Sequence, residues 1–232
     1  MYLPAMSMLS GCILIVSALD AQKPATPTSV PPEHPAAEQR INLGEQLTAG
    51  KLRMVNREAS KIPERDGIHV SAKEGNGVVW VEGTDFRSGS IEVDIRGRDV
   101  PQQSFVGIAF HRKEDTAYEA VYLRPFNFRA TDPTRHDHAI QYIALPDYDW
   151  PRLRKEFPEE FENPVDASLA PTEWVRLRVV VEGSTIQAFA GSVKTPTLSV
   201  RKLGQLDGGL IGVWVGNNSE GDFANLVVSR TK

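Results

Sequence analysis

The chain has one cysteine, Cys12, in 232 residues. If an N-terminal segment containing it is removed, no disulfide is possible and the fold must rest on its core. Long basic runs are missing and the net charge is −4. A general electrostatic footprint for nucleic acid is thereby excluded. No segment of helical period is long enough to organise a core, and no internal repeat is visible. The longest N-terminal apolar run, Met6 to Ala18, is too short to span a bilayer comfortably.

That run, followed by Leu19-Asp20-Ala21-Gln22, reads as a signal peptide over 1–21 with cleavage near Ala21. A secreted or periplasmic protein with no stable transmembrane segment after processing is expected. Leu9-Ser10-Gly11-Cys12 also fits a lipobox, but apolar residues continue after the cysteine, which favours the plain leader. Residues 22–40 hold five prolines and almost no large apolar side chain. Such a segment cannot bury enough surface to fold, so it is expected to be a linker. The folded domain is expected over 41–232.

Within that domain the sequence reads as many short strands. Gly89 to Arg96 alternates cleanly, with Ile91, Val93 and Ile95 on one face and Glu92, Asp94 and Arg96 on the other. Trp174 to Glu182 alternates in the same way. Further strands are expected near 67–72, 78–81, 105–111, 118–124, 139–144, 185–190, 197–202, 210–215 and 223–229. Residues 151–165 are charged and admit a short helix that Pro158 limits. The pattern is that of an all-β sandwich or barrel, with a site expected on the outer face of one sheet.

The stretch RPFNFRATDPTRHDH (124–138) interrupts the strands. It is expected to be a loop lying over the sheet, gathering Arg124, Asn127, Arg129, Arg135, His136 and His138. Four readings stand. A divalent metal would take His136 and His138, two apart in extended chain, with Asp132 or His111. An anion would take Arg124 and Arg129 as bidentate donors. A neutral sugar would use Arg124, Asn127, His136, His138 and Gln141 for hydroxyls, with Tyr122, Tyr148 and Trp150 against the ring. A plain solvated loop would pair its arginines with Asp132, Asp137 and Asp147.

Three segments resemble the concanavalin A-like lectin/glucanase superfamily. They are FRSGSIEVDIRGR (86–98), WVRLRVVVEGSTIQAFAG (174–191) and GGLIGVWVGNNSEGDFANLVV (208–228). The resemblance implies a two-sheet antiparallel jelly-roll sandwich. Within the superfamily, AYEAVYL (117–123) is similar to a strand of bacterial secreted 3-keto-glycoside hydrolase-like (LamG-like) domains, with Glu119 at the glutamate position. That likeness implies chemistry at an activated sugar. A base such as His138 or Glu119 would remove the proton beside a C3 ketone, and Arg124 would stabilise the enolate.

Glu92-Val93-Asp94-Ile95-Arg96 invites comparison with the E-x-D-x-E strand of laminarinase-type glycosidases. Arg96 stands at the acid position and cannot donate that proton near neutral pH. The leading expectation is a secreted glycoside-cleaving enzyme acting on a carbohydrate. Its catalytic candidates are Glu119, His138, Arg124, Glu92 and Asp94. Its substrate-binding candidates are His111, Tyr122, Asn127, Arg129, His136, Gln141, Tyr148 and Trp150. The alternatives are a non-catalytic lectin-like module and a structural envelope protein.

Overall fold

A computed structural model of the chain describes residues 1–2 and 38–231. The expected leader beyond its first two residues, Cys12, and the linker as far as residue 37 lie outside the described residues. Pro35–Lys232 forms one compact unit. Its first strand is β1 (Glu38–Ile41), then β2 (Leu52–Val55), β3 (Ala59–Ile62), β4 (Gly67–Val70) and β5 (Gly77–Val81). Next come β6 (Gly89–Arg96), β7 (Val106–Glu114), β8 (Ala117–Leu123), β9 (Ile140–Ala144) and β10 (Glu162–Asn163). The last five are β11 (Val175–Glu182), β12 (Thr185–Ala190), β13 (Leu198–Arg201), β14 (Leu210–Val215) and β15 (Gly221–Arg230).

The strands form two antiparallel sheets. The first runs β13-β12-β11-β6-β15-β4-β3, with β1 also paired to β15. The second runs β10-β9-β8-β7-β14-β5-β2. This is the jelly-roll sandwich that the resemblance implies. The domain begins earlier than expected: Glu38 to Ile41 pairs with Ser229 to Leu226, so residues 38–40 belong to a sheet and not to a linker.

Period two explains how the layers meet. The first sheet turns Ile91, Val93, Ile95, Leu177, Val179 and Val181 inward, all buried. Val106 of β7 faces it: a Cβ placed on Gly221 of β15 would lie 2.7 Å from Val106 Cγ1. Ile108 and Phe110 follow Val106 at period two. Each such buried side chain contributes about 1.5–3 kcal/mol, so a core of this extent can hold the sandwich without a disulfide.

The second sheet is also buried on its outer face. Trp80, Tyr118, Tyr122 and Trp214 stand there, with Trp80 edge-on to Tyr118 at 5.4 Å and Tyr122 tilted against Trp214 at 4.7 Å. Gly107 makes room for them. A Cβ at that position would come within 2.2 Å of Val121 O and 2.6 Å of Tyr122 Cβ. The segment between β8 and β11 covers this face. It holds a 3-10 turn (Pro125–Asn127), α2 (Pro133–Asp137) and α3 (Trp150–Glu156). A further helix, α1 (Leu43–Thr48), begins under the Asn42 cap near the start of the domain.

The 126–138 stretch is therefore not the extended loop expected from its composition. Asp132 caps α2 by accepting from Thr134 N at 2.9 Å, and Pro133 stands at the first helical position. Asp149 and Pro151 start α3 in the same way, with Asp149 accepting from Trp150 N at 2.7 Å. The helix ends at Phe157, where Pro158 was expected to stop it.

Candidate functional site

Between the outer face of the second sheet and its helical cover lies a pocket of about 440 Å³. Tyr122 and Trp214 form its floor, and Phe105 packs edge-on to Tyr122 at 6.2 Å. Arg124 and Asn127 line it from the end of β8 and the 3-10 turn. Arg135 and His138 come from α2 and its C-terminal cap, and Trp150 and Arg154 from α3. Asn76, Gln102, Gly216 and Asn217 complete the wall. No aspartate or glutamate lines it.

Behind that wall is a buried polar cluster. Arg124 is only 4% exposed. It donates to His138 O at 2.7 Å, to Tyr122 Oη at 2.9 Å and to Gln141 Oε1. Tyr122 Oη donates to Gln141 Oε1 at 2.8 Å. Burial lowers the Arg124 pKa, yet a guanidinium starts so high that it stays charged. Burial likewise pushes the Tyr122 hydroxyl up to about 12, so it remains a neutral donor.

Glu162 of β10 anchors the cluster. Arg154 grips it through Nε at 3.0 Å and Nη2 at 2.9 Å, and Arg124 Nη1 stands 3.5 Å away. His138 Nδ1 approaches Glu162 Oε1 at 2.9 Å. Burial lowers the His138 pKa below its ordinary 6.5, against the pull of Glu162, which favours the imidazolium. Asn127 donates through Nδ2 to His138 O at 3.2 Å, while its buried Oδ1 has no partner. Gln141 Nε2 is also buried without a partner. Both are polar atoms left without a bond inside the cluster behind the pocket wall.

The structure separates the sequence candidates, and His136 is not among those that line the pocket. Tyr122, Arg124, Asn127, His138 and Trp150 line the pocket, and Gln141 holds them from behind. Glu119 and His111 do not reach it, correcting their expected place. Tyr122 and Glu119 are three apart on β8, so they point to opposite sides of the sheet. Glu119 is 0% exposed, bonded to His111 Nδ1 at 2.8 Å and to the Tyr142 hydroxyl. His111 Nε2 meets Arg87 O at 2.8 Å. Gly204 seals the site, since a Cβ there would lie 2.6 Å from the Glu119 carboxyl carbon.

Glu92 and Asp94 lie on the other sheet altogether, on the outer face of β6. Arg176 bonds them at 3.2 and 3.0 Å, and Asn225 and Arg65 add to Asp94. A shared site with Tyr122 and His138 is therefore ruled out by topology. Arg129 holds the turn at Ala167 and Ser168 through their carbonyls at 3.1 and 2.8 Å. Tyr148 pairs with Ala144 and lies under Arg152 at 4.6 Å, away from the pocket.

The expected metal set also comes apart. His136 and His138 are on a helical turn, where two positions differ by roughly 200°, not on an extended chain. His111 is sealed between the sheets and Asp132 is used as a cap. Among the described residues no group of three His, Cys, Asp or Glu is placed to hold a metal ion.

Sequence reasoning noted Arg135 without giving it a role, and missed Arg154, Glu162, Phe105, Trp214, Asn76 and Gln102. The Asp-Pro and Asp-Trp-Pro cap signals could have located α2 and α3, and with them Arg135 and Arg154. Nothing local marks Glu162, whose role arises from pairing with Gln141 on β9.

The chain matches no protein-family profile, and no curated protein matches it in sequence. Solved structures do share its fold. The carbohydrate-binding module CBM66 from Bacillus subtilis superposes with a TM-score of 0.55 at 13% identity, over 77% of this chain and 96% of that one. A Bacillus subtilis protein of unknown function with a galectin-like fold gives 0.54 at 15%, over 85% and 99%. The exoplasmic/lumenal domain of VIP36, in a form bound to Ca²⁺ and Man3GlcNAc, gives 0.56 at 10%, over 82% and 88%. At these identities the likeness establishes the fold alone, a concanavalin A-like jelly-roll sandwich.

Proposed function

We propose that this protein is a carbohydrate-binding, lectin-like module whose glycan site is the pocket under α2 and α3. One observation carries the reading. The pocket combines an aromatic floor and an exposed Trp150 with arginines and amide side chains, and no carboxylate lines it. Aromatic faces suit sugar rings and the amides suit hydroxyls. The carbohydrate-binding name of CBM66 and the Man3GlcNAc-bound form of VIP36 agree with it. Its place outside the cytoplasm rests on the apolar N-terminal run, and VIP36 contributes an exoplasmic/lumenal example.

A second reading is a glycoside-processing enzyme, as the 3-keto-glycoside hydrolase-like resemblance implies. The nearness of His138 to Glu162 favours it: Nδ1 lies 2.9 Å from Oε1, though without hydrogen-bond geometry, and a carboxylate beside an imidazole strengthens it as a base. His138 would remove the proton beside the ketone and Arg124 would steady the enolate. Glu119 has no part in this scheme, being sealed from solvent. Nor do Glu92 and Asp94.

Calorimetric titration of the purified chain with a panel of oligosaccharides, with mass spectrometry of the mixtures, separates the two. Saturable binding with no product is expected. A product that disappears in His138→Ala would replace the module with the enzyme. No binding and no product would overturn both.

A further inference from the structure

Resting on the carbohydrate reading, we propose that the glycan held in this pocket carries an oxyanion, a carboxylate or a sulfate ester, taken by Arg135 and Arg154 beside Arg124. Three guanidiniums line the pocket. The cluster contains a single carboxylate, Glu162, which already engages Arg154 through two nitrogens. Arg124 is buried, bonded to neutral oxygens, and shares the same Glu162 at 3.5 Å, so one carboxylate faces three guanidiniums. The site therefore holds an excess of positive charge where water is partly excluded.

The donor and acceptor balance points the same way. Arginine has donors and no acceptor, and an oxyanion has acceptors and no donor. Neutral sugar hydroxyls need acceptors as well as donors. The side-chain acceptors here are few: one ring nitrogen of neutral His138, the orphaned Asn127 Oδ1 and the amide oxygens of Asn76, Gln102 and Asn217. One of these is already committed, because Asn217 Oδ1 accepts from Gly75 N at 2.8 Å.

Two of the arginines retain free donors. Among the described residues, Arg154 uses Nε and Nη2 on Glu162, and its Nη1 has no protein partner. Arg135 is exposed and makes one long bond, Nη2 to Phe126 O at 3.3 Å. Asp137 and Asp149 flank the two helices but line no part of the pocket. Trp150, under the Arg154 guanidinium at 5.2 Å, gives the sugar ring a face next to the anion site.

Titrations of the full chain with matched neutral, uronate-containing and sulfated oligosaccharides test this. The anionic ligands should bind at least about tenfold more tightly, and the gap should shrink as salt rises from about 50 to about 500 mM. Arg135→Gln should remove most of the preference, lowering affinity for the anionic glycans far more than for the neutral one. It is chosen because Arg135 is exposed and takes no part in the Glu162 cluster. The uronate and sulfate arms separate the two sources of the anion, and preference for either supports the proposal. Equal affinity for neutral and anionic glycans would overturn it and leave the carbohydrate reading intact. Failure of every glycan to bind would overturn that reading, and this inference with it.

Discussion

Trp150 keeps 46% of its surface in water at the mouth of the pocket. Removing its ring should leave stability nearly unchanged and weaken glycan binding about tenfold, equivalent to about 1.4 kcal/mol. Glu119 is its opposite. Glu119→Gln should cost stability, on the order of 3 kcal/mol, because it disturbs a buried charge network, and should leave glycan affinity as it was. Denaturant titration beside calorimetry checks both; a fall in affinity on changing Glu119 would contradict its sealed position. His138 adds a pH signature. Its folded pKa lies below 6.5, so the unfolded chain takes up the proton first as pH falls. The stability from neutral His138 is complete above that value and is lost as pH drops from 6.5 toward the folded pKa. His138→Gln should therefore lose less stability than the native chain between about pH 7.5 and about pH 5.5; equal losses would contradict it. Much of this was legible in the 124–138 stretch, where Arg124, Asn127 and His138 stand out. The same alternation that places Tyr122 in the pocket excludes Glu119, a consequence available from β8 alone.

At the scale of elements, the pocket depends on how α2 and α3 are fixed over the second sheet. Each begins with an aspartate cap and a proline, and each carries an arginine to the wall. Asp132→Ala should cost about 1 kcal/mol through the lost cap and weaken binding by loosening Arg135 and His138. A variant with reduced melting temperature and unchanged affinity would show that α2 does not position the site. The strands were readable because their inward faces alternate, as in β6 and β11. The short helices were not read from periodicity, since five to seven residues give too few turns to show a period. β10, with two residues, has no pattern at all; pairing with β9 defines it.

For the whole molecule, the two outer faces have different characters. The first sheet presents an ion-pair lattice in which Arg176 bridges Glu92 and Asp94, and Arg96 meets Asp222 at 2.7 Å. Trp174 lies there beneath Arg65 and Arg96, at 4.5 and 4.9 Å. The second sheet is covered and holds the pocket. Partly exposed pairs contribute little, so Glu92→Ala should change stability by no more than about 1 kcal/mol and leave binding unaffected. An all-β sandwich or barrel was legible from strand count and spacing, and the two-sheet form from the resemblance. Membership was not, because β6 pairs with β11 and β15 far along the chain. Placing Glu92 beside His138 was an error of topology that no local pattern could have corrected. The most direct measurement of the central claim compares Trp150→Ala with Trp174→Ala for a glycan that binds the native chain. Loss of affinity in the first and none in the second is the predicted result. Loss only in the second would put the glycan on the wrong sheet and contradict the pocket as the site.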